Sequence, residues 1–158
     1  MYEGLGISNL INKVVEGYHA TIFAYGQTGS GKTFTMEGNE REFERPADVE
    51  DGAVTSGITQ KSVMELFEQI EATRQQEKTK HISVFVSYLQ IYNEKVFDLL
   101  NPSSVSGLTA VKKPQLGDKD MQGLRIRWTK KDQFVVENLY VFECQTYEEA
   151  LKLFRFGS

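Results

Sequence analysis

The chain has 158 residues, 40% of them hydrophobic and 25% charged, a mixture that suits one soluble globular domain with a sizeable core. A formal net charge of -4 argues against a dedicated nucleic-acid binder, which needs an excess of Lys and Arg on its binding face. With Cys144 as the only cysteine no internal disulfide can form, and His19 and His81 are too few and too scattered to make a metal cluster with it.

In chain order, Ile7, Leu10, Ile11, Val14 and Val15 recur at helical spacing, with Ser8 placed to cap and Gly17 where a helix would stop. Residues 20–25, "ATIFAY", are a short apolar and aromatic run bounded by glycine and read as a buried strand. A glycine loop follows at 26–33, and "KTFTM" starts a helix. Strand, loop and helix in that order are the context that a phosphate-binding loop requires.

Residues 39–56 are polar and acid-rich, with Pro46 and Gly52, and read as a long surface loop that interrupts or ends this helix. Helical periodicity returns at Ile58, Val63, Leu66, Phe67 and Ile70 and fades into "TRQQEKTK". "HISVFVSYLQIY", 81–92, is β-branched and aromatic enough for a long strand, which "KVFDLL" continues or flanks. Residues 101–123 form a Pro-, Gly- and Ser-rich loop, and "LRIRW" with "QFVVENLYVF" around "TKKD" predicts a hairpin. The final helix opens at Thr146 with Glu149 at capping-box spacing and stops near Gly157.

The charge is uneven. Between Asn101 and Val135 stand seven basic residues (Lys112, Lys113, Lys119, Arg125, Arg127, Lys130, Lys131) against three acidic ones, so this segment carries +4 and the remainder -8. A solvated basic loop accounts for it, and so does an acidic partner. No apolar run approaches the roughly 20 residues of a membrane span, and no signal-type stretch follows Met1, so a cytosolic protein without membrane contact is expected.

Gly26, Gln27, Thr28, Gly29, Ser30, Gly31, Lys32 and Thr33 fit G-x-x-x-x-G-K-S/T without a gap. Glycines let the backbone take positive φ and pass close to oxygens that a Cβ would exclude. Successive amides and the positive end of the next helix then favour an anion. Lys32 would reach the β and γ phosphates of a nucleotide, and the Thr33 hydroxyl would ligate Mg²⁺. Hydrolysis needs more: a positioned water and a carboxylate behind the metal. Asp98 in "KVFDLL" imitates such a carboxylate, and a structural role is expected of it instead.

"EGYHATIFAYGQTGSGKTFTMEG" resembles the nucleotide loop of kinesin motor domains, and "VSYLQIYNEKVFDLLNP" is similar to their next signature, S-Y-x-E-I-Y-N-E-x-x-x-D-L-L, with Gln90 where Glu is usual. The resemblance covers the whole chain, read as one partial motor domain over 1–158. It implies an α/β P-loop NTPase with a kinesin-type mixed sheet and helices on both faces, incomplete in these residues. It also implies ATP and Mg²⁺ as cofactors, Lys32 as the catalytic lysine and Phe34 as a ring near the adenine, unless Phe34 serves the core. Residues 39–56 correspond to a variable loop, and the basic loop and hairpin at 101–137 to a surface that touches acidic tubulin. The expected place is the cytoplasm, on the microtubule cytoskeleton.

Kinesins continue to N-x-x-S-S-R-S-H and D-x-x-G-x-E, which sense the γ phosphate and position water; the 158 residues contain neither motif. In the kinesin fold, strands beyond this segment lie between residues 20–25 and 81–92. The expectation is that both lack partners here, and that the chain is poorly stable or rearranged unless a larger assembly supplies them. Two functions compete: the ATP-binding part of a microtubule motor, and a non-catalytic scaffold that keeps a motor-like surface. A small-molecule kinase or GTPase ranks last, without an N-K-x-D signature.

Overall fold

A computed structural model describes residues 2–39, 56–101, 123–129 and 133–158. They form two compact units, 1–82 and 83–158. In the first, a 3-10 turn (Glu3–Leu5) leads into α1 (Ile7–Val15), followed by α2 (Lys32–Glu37) and α3 (Ile58–Gln76).

Helix α1 begins two residues earlier than a Ser8 cap requires. Gly6, at φ 66°, takes the capping position and Ser8 lies inside the first turn. The stop at Gly17 is borne out: with φ 107° it lets the Gly17 amide donate to Val14 O (2.9 Å) and the Tyr18 amide to Lys13 O (2.9 Å). That double closure satisfies carbonyls the helix end would otherwise orphan. The core of the unit is Ile7 and Ile11 of α1 against Ile58 of α3, with Tyr2, Ile22, Met36 and Leu66 packed around them.

Residues 20–25 fall in no strand of the described residues, which corrects the sequence reading. Phe23 is 76% and Tyr25 88% exposed, and only Ile22 of this run joins the core cluster. An apolar run becomes a buried strand only when ladders and covering faces are supplied by other segments, and no described segment pairs with it.

The second unit holds β1 (Val84–Val86), β2 (Leu89–Tyr92), β3 (Lys95–Asp98), β4 (Ile126–Trp128), β5 (Phe134–Val136), β6 (Phe142–Cys144) and α4 (Tyr147–Gly157). Its described strands form three antiparallel pairs, β1 with β6, β2 with β3, and β4 with β5. A full mixed sheet is not formed by the described residues. The long strand expected at 81–92 is divided: β1 pairs Val84 with Cys144, whereas β2 turns back on β3 through Asn93 and Glu94. Both turn residues have positive φ, 48° and 62°, the geometry of a two-residue hairpin whose twist matches its strands.

The predicted hairpin around "TKKD" is present as β4 and β5, with Ile126 opposite Val136 and Trp128 opposite Phe134. An edge contact between the Trp128 and Phe134 rings, 4.5 Å between centroids, supports the pair. Helix α4 starts as read, with the Glu149 amide donating to Thr146 Oγ1 (3.4 Å); the Glu149 carboxylate accepts from the Gln145 amide (2.7 Å), one residue before the cap. Gly157 is the last residue of the helix, and packing requires a glycine there, because a Cβ would overlap the Tyr88 ring. The Tyr88 and Phe154 rings stack beside it, 5.7 Å apart.

Candidate functional site: the glycine loop

The loop at 26–33 hangs between two anchors in one core cluster, Ile22 before it and Met36 after it. Between them residues 23–31, Thr33 and Phe34 are exposed, and Lys32 and Thr35 are half-buried. Gly26, Gly29 and Gly31 take φ of 151°, 82° and 87°, backbone that side-chain-bearing residues rarely adopt. At Gly26 there is a second constraint, since a Cβ would come within 2.7 Å of Ser30 Oγ. At Gly29 and Gly31 a Cβ would meet nothing within 4 Å, so these glycines border open space. The Ser30 amide donates to Gln27 O (3.2 Å), closing the turn.

Gly31 caps α2 in the left-handed region, and the first bond of the helix runs from the Thr35 amide to Gly31 O (2.8 Å). The amides of Lys32, Thr33 and Phe34 therefore precede the first intrahelical bond, as helix geometry demands. Thr33 is exposed at this end. The Lys32 ammonium is folded onto its own loop, donating to Gly26 O and Gln27 O, each at 2.8 Å. Gln27 O thus accepts from both Lys32 and Ser30.

The eight motif residues thus form one turn, exposed from Gly26 to Gly31 and closed by the Ser30 to Gln27 bond, that runs into the first turn of α2 at Lys32 and Thr33. Phe34 is 57% exposed, which sets aside the core role and leaves a ring at the surface two residues beyond Lys32. Asp98 stands elsewhere as a structural carboxylate. It is 9% exposed, accepting from the Leu100 amide through Oδ1 (2.8 Å) and from the Tyr140 amide through Oδ2 (2.7 Å).

Residues 39–56 and Lys112, Lys113, Lys119, Lys130 and Lys131 lie outside the described residues, apart from Asn39 and Ser56 at the ends of the first loop. That loop is pinched at its base by a bridge between Gly38 and Ser56. Of the basic segment, Arg127 is paired with Glu137 at 2.6 Å. Cys144 is buried, and its thiol is pushed up from the ordinary range by burial and then by the Glu149 charge. Among the described residues no group of three His, Cys, Asp or Glu is arranged to hold a metal, and no helix is long and apolar enough to cross a membrane.

Sequence reasoning missed the residues that fix the loop from behind. Gln60 donates through Nε2 to Glu37 O at 2.6 Å, and Gly57 lies against the Met36 carbonyl so closely that a Cβ would overlap it. The available signal was a Gly immediately before a helix with Gln in its first turn, too common a pattern to single out.

Comparison with known proteins supplies the context for this geometry. The sequence model of the kinesin motor domain matches residues 1–158. Kinesin-like protein KIP2 of Saccharomyces cerevisiae is 35% identical over 155 residues, 94% of this chain and 20% of that protein. Kinesin-like protein KIP2 of Eremothecium gossypii is 45% identical over 101 residues, 64% of this chain and 13% of that protein. A kinesin heavy chain of Syncephalastrum racemosum is 47% identical over 98 residues, 62% of this chain and 9% of that protein. The chain thus spans a fifth or less of the length of these relatives. With the family match covering every residue, and with the motif turn and the second signature both in place, this chain belongs to the kinesin motor domain family, whose members use nucleotide and are associated with the microtubule cytoskeleton.

Proposed function

We propose that the chain is the ATP-binding part of a microtubule motor, which in its parent couples MgATP hydrolysis to movement along microtubules. The observation that carries this is the glycine turn: three positive-φ glycines, two of them facing open space, around a lysine held by main-chain carbonyls of the turn itself. Such a turn fits a triphosphate. Lys32 would exchange two neutral carbonyl partners for phosphate oxygens, and charge-assisted bonds of that kind are the stronger ones. Amides of the first turn of α2 would add donors, and the Thr33 hydroxyl would hold Mg²⁺, with Phe34 beside the adenine.

When bound, Mg²⁺ would neutralise charge on the β and γ phosphates. Lys32 would orient the γ phosphate and oppose the charge that develops as it leaves. Asp98 takes no part, being committed to two backbone amides. Water positioning and amplification of phosphate loss into motion belong to motifs that these 158 residues do not contain.

The hairpin of β4 and β5, with the basic residues around it, is the proposed tubulin-facing segment, complementary to an acidic surface. Co-sedimentation with microtubules in the presence of ATP, ADP and no nucleotide tests the reading. Binding that changes with nucleotide supports a motor segment; binding indifferent to nucleotide transfers the function to a non-catalytic scaffold.

A further inference from the structure

Helix α2 has six residues, too few to hold itself by its own hydrogen bonds, and it carries Lys32 and Thr33 in its first turn. Whatever fixes its far end therefore fixes the loop. At that far end stands the carbonyl of Glu37, the last residue of the helix. Gln60 supplies a partner: its Nε2 donates to Glu37 O at 2.6 Å from the first turn of α3, two residues after the core residue Ile58.

Gln60 is 9% exposed, and an amide side chain is costly to bury unless it is bonded. Around it the two helices are held in register by Gly57, which presses on the Met36 carbonyl, and by the bridge from Gly38 to Ser56. Met36 itself packs against the core cluster of Ile7, Ile11 and Ile58. The bond from Gln60 thus ties the first turn of α3 to the carbonyl end of α2.

We propose that Gln60 is a positioning residue for the nucleotide loop, fixing the carbonyl end of α2 on α3 and thereby the placement of Lys32 and Thr33. This rests on the nucleotide reading of the loop. Gln60 acts through α2 and does not itself contact the phosphates.

The test uses the 158-residue chain with Gln60→Met, which keeps length and removes the donor, and Gln60→Glu as a second variant should the first fail to fold. Two readouts are taken: Kd for a fluorescent ATP analogue with Mg²⁺, and amide hydrogen exchange. The expected Kd is about three- to tenfold higher than wild type, the scale of one lost hydrogen bond. Exchange should accelerate at the Thr35 and Gly38 amides of α2, with the Glu16 amide of α1 unchanged.

Unaltered exchange at Thr35 and Gly38 overturns the proposal, as does acceleration spread equally over α1, which would mark a merely structural glutamine. Accelerated exchange in α2 with an unchanged Kd overturns it too. If wild type itself fails to bind the analogue, the nucleotide reading falls, whereas selective acceleration in α2 would still establish Gln60 as the clamp on the loop helix.

Discussion

The glycine loop and the strand signature that follows it are equally dense in motif residues, yet the molecule treats their charged groups in opposite ways. Lys32 is held by two carbonyls of its own exposed turn. Asp98 is buried and accepts from two amides 40 residues apart in the chain, at Leu100 and Tyr140. A ligand can replace the partners of the first without disturbing any packing. Replacing those of the second would leave a buried amide, that of Leu100, and a part-buried one, that of Tyr140, unpaired. The nature of the partner, more than the presence of a motif, separates a residue kept for binding from one kept for folding.

The sharpest way to break this contrast is to neutralise Asp98. Asp98→Ala strands the buried Leu100 amide, at about 1–3 kcal/mol, and the part-buried Tyr140 amide, at less, so the second unit should lose roughly 2–5 kcal/mol. Urea unfolding followed at Trp128, the single tryptophan, reads that unit. A midpoint within error of wild type would place Asp98 among the dispensable polar groups. Next in size, Ile11→Ala removes a side chain that is 6% exposed in the first unit and should cost about 2–5 kcal/mol. It probes the cluster on which Ile22 and Met36 anchor the loop, and retention of full stability would mean that the loop has no firm base.

Thr146→Ala should cost about 1 kcal/mol, the usual worth of a helix cap, detected as a small shift in the same urea midpoint. Smaller still is a pH effect at Tyr2. Burial, and then its bond to Glu65 Oε2 at 2.5 Å, push its hydroxyl from 10 up to about 12. The folded state therefore keeps the proton that the unfolded chain releases above pH 10, so this contribution is present below pH 10 and is lost as pH rises toward 12. Tyr2→Phe should flatten the fall in stability over that window; an unchanged slope would show that the bond does not persist in solution.

The sequence made the helices and the hairpins legible where local chemistry decides them. Gly17 closes α1 because its φ is positive, Thr146 caps α4 because its hydroxyl reaches an amide, and β4 pairs with β5 through facing apolar and aromatic residues. Where distant segments decide, reading failed or fell short. The run at 20–25 has strand composition, but composition carries no ladder. The break between β1 and β2 depends on two different partners, β6 and β3, which no local pattern announces. The loop residues were legible because the proposed phosphate cradle needs particular residue types at fixed spacing. Gln60 was not, because its role is created only when the end of α2 arrives beside it.

The central claim is that the turn from Gly26 to Thr33 holds a triphosphate through Lys32. Its most direct test is a calorimetric titration of the chain with MgATP, beside Lys32→Ala. Saturable one-to-one binding weakened about ten- to a hundredfold or more by the substitution is the predicted result, given about 1.5–3 kcal/mol for a hydrogen bond to a charged group. Equal affinity in the two proteins would contradict the account.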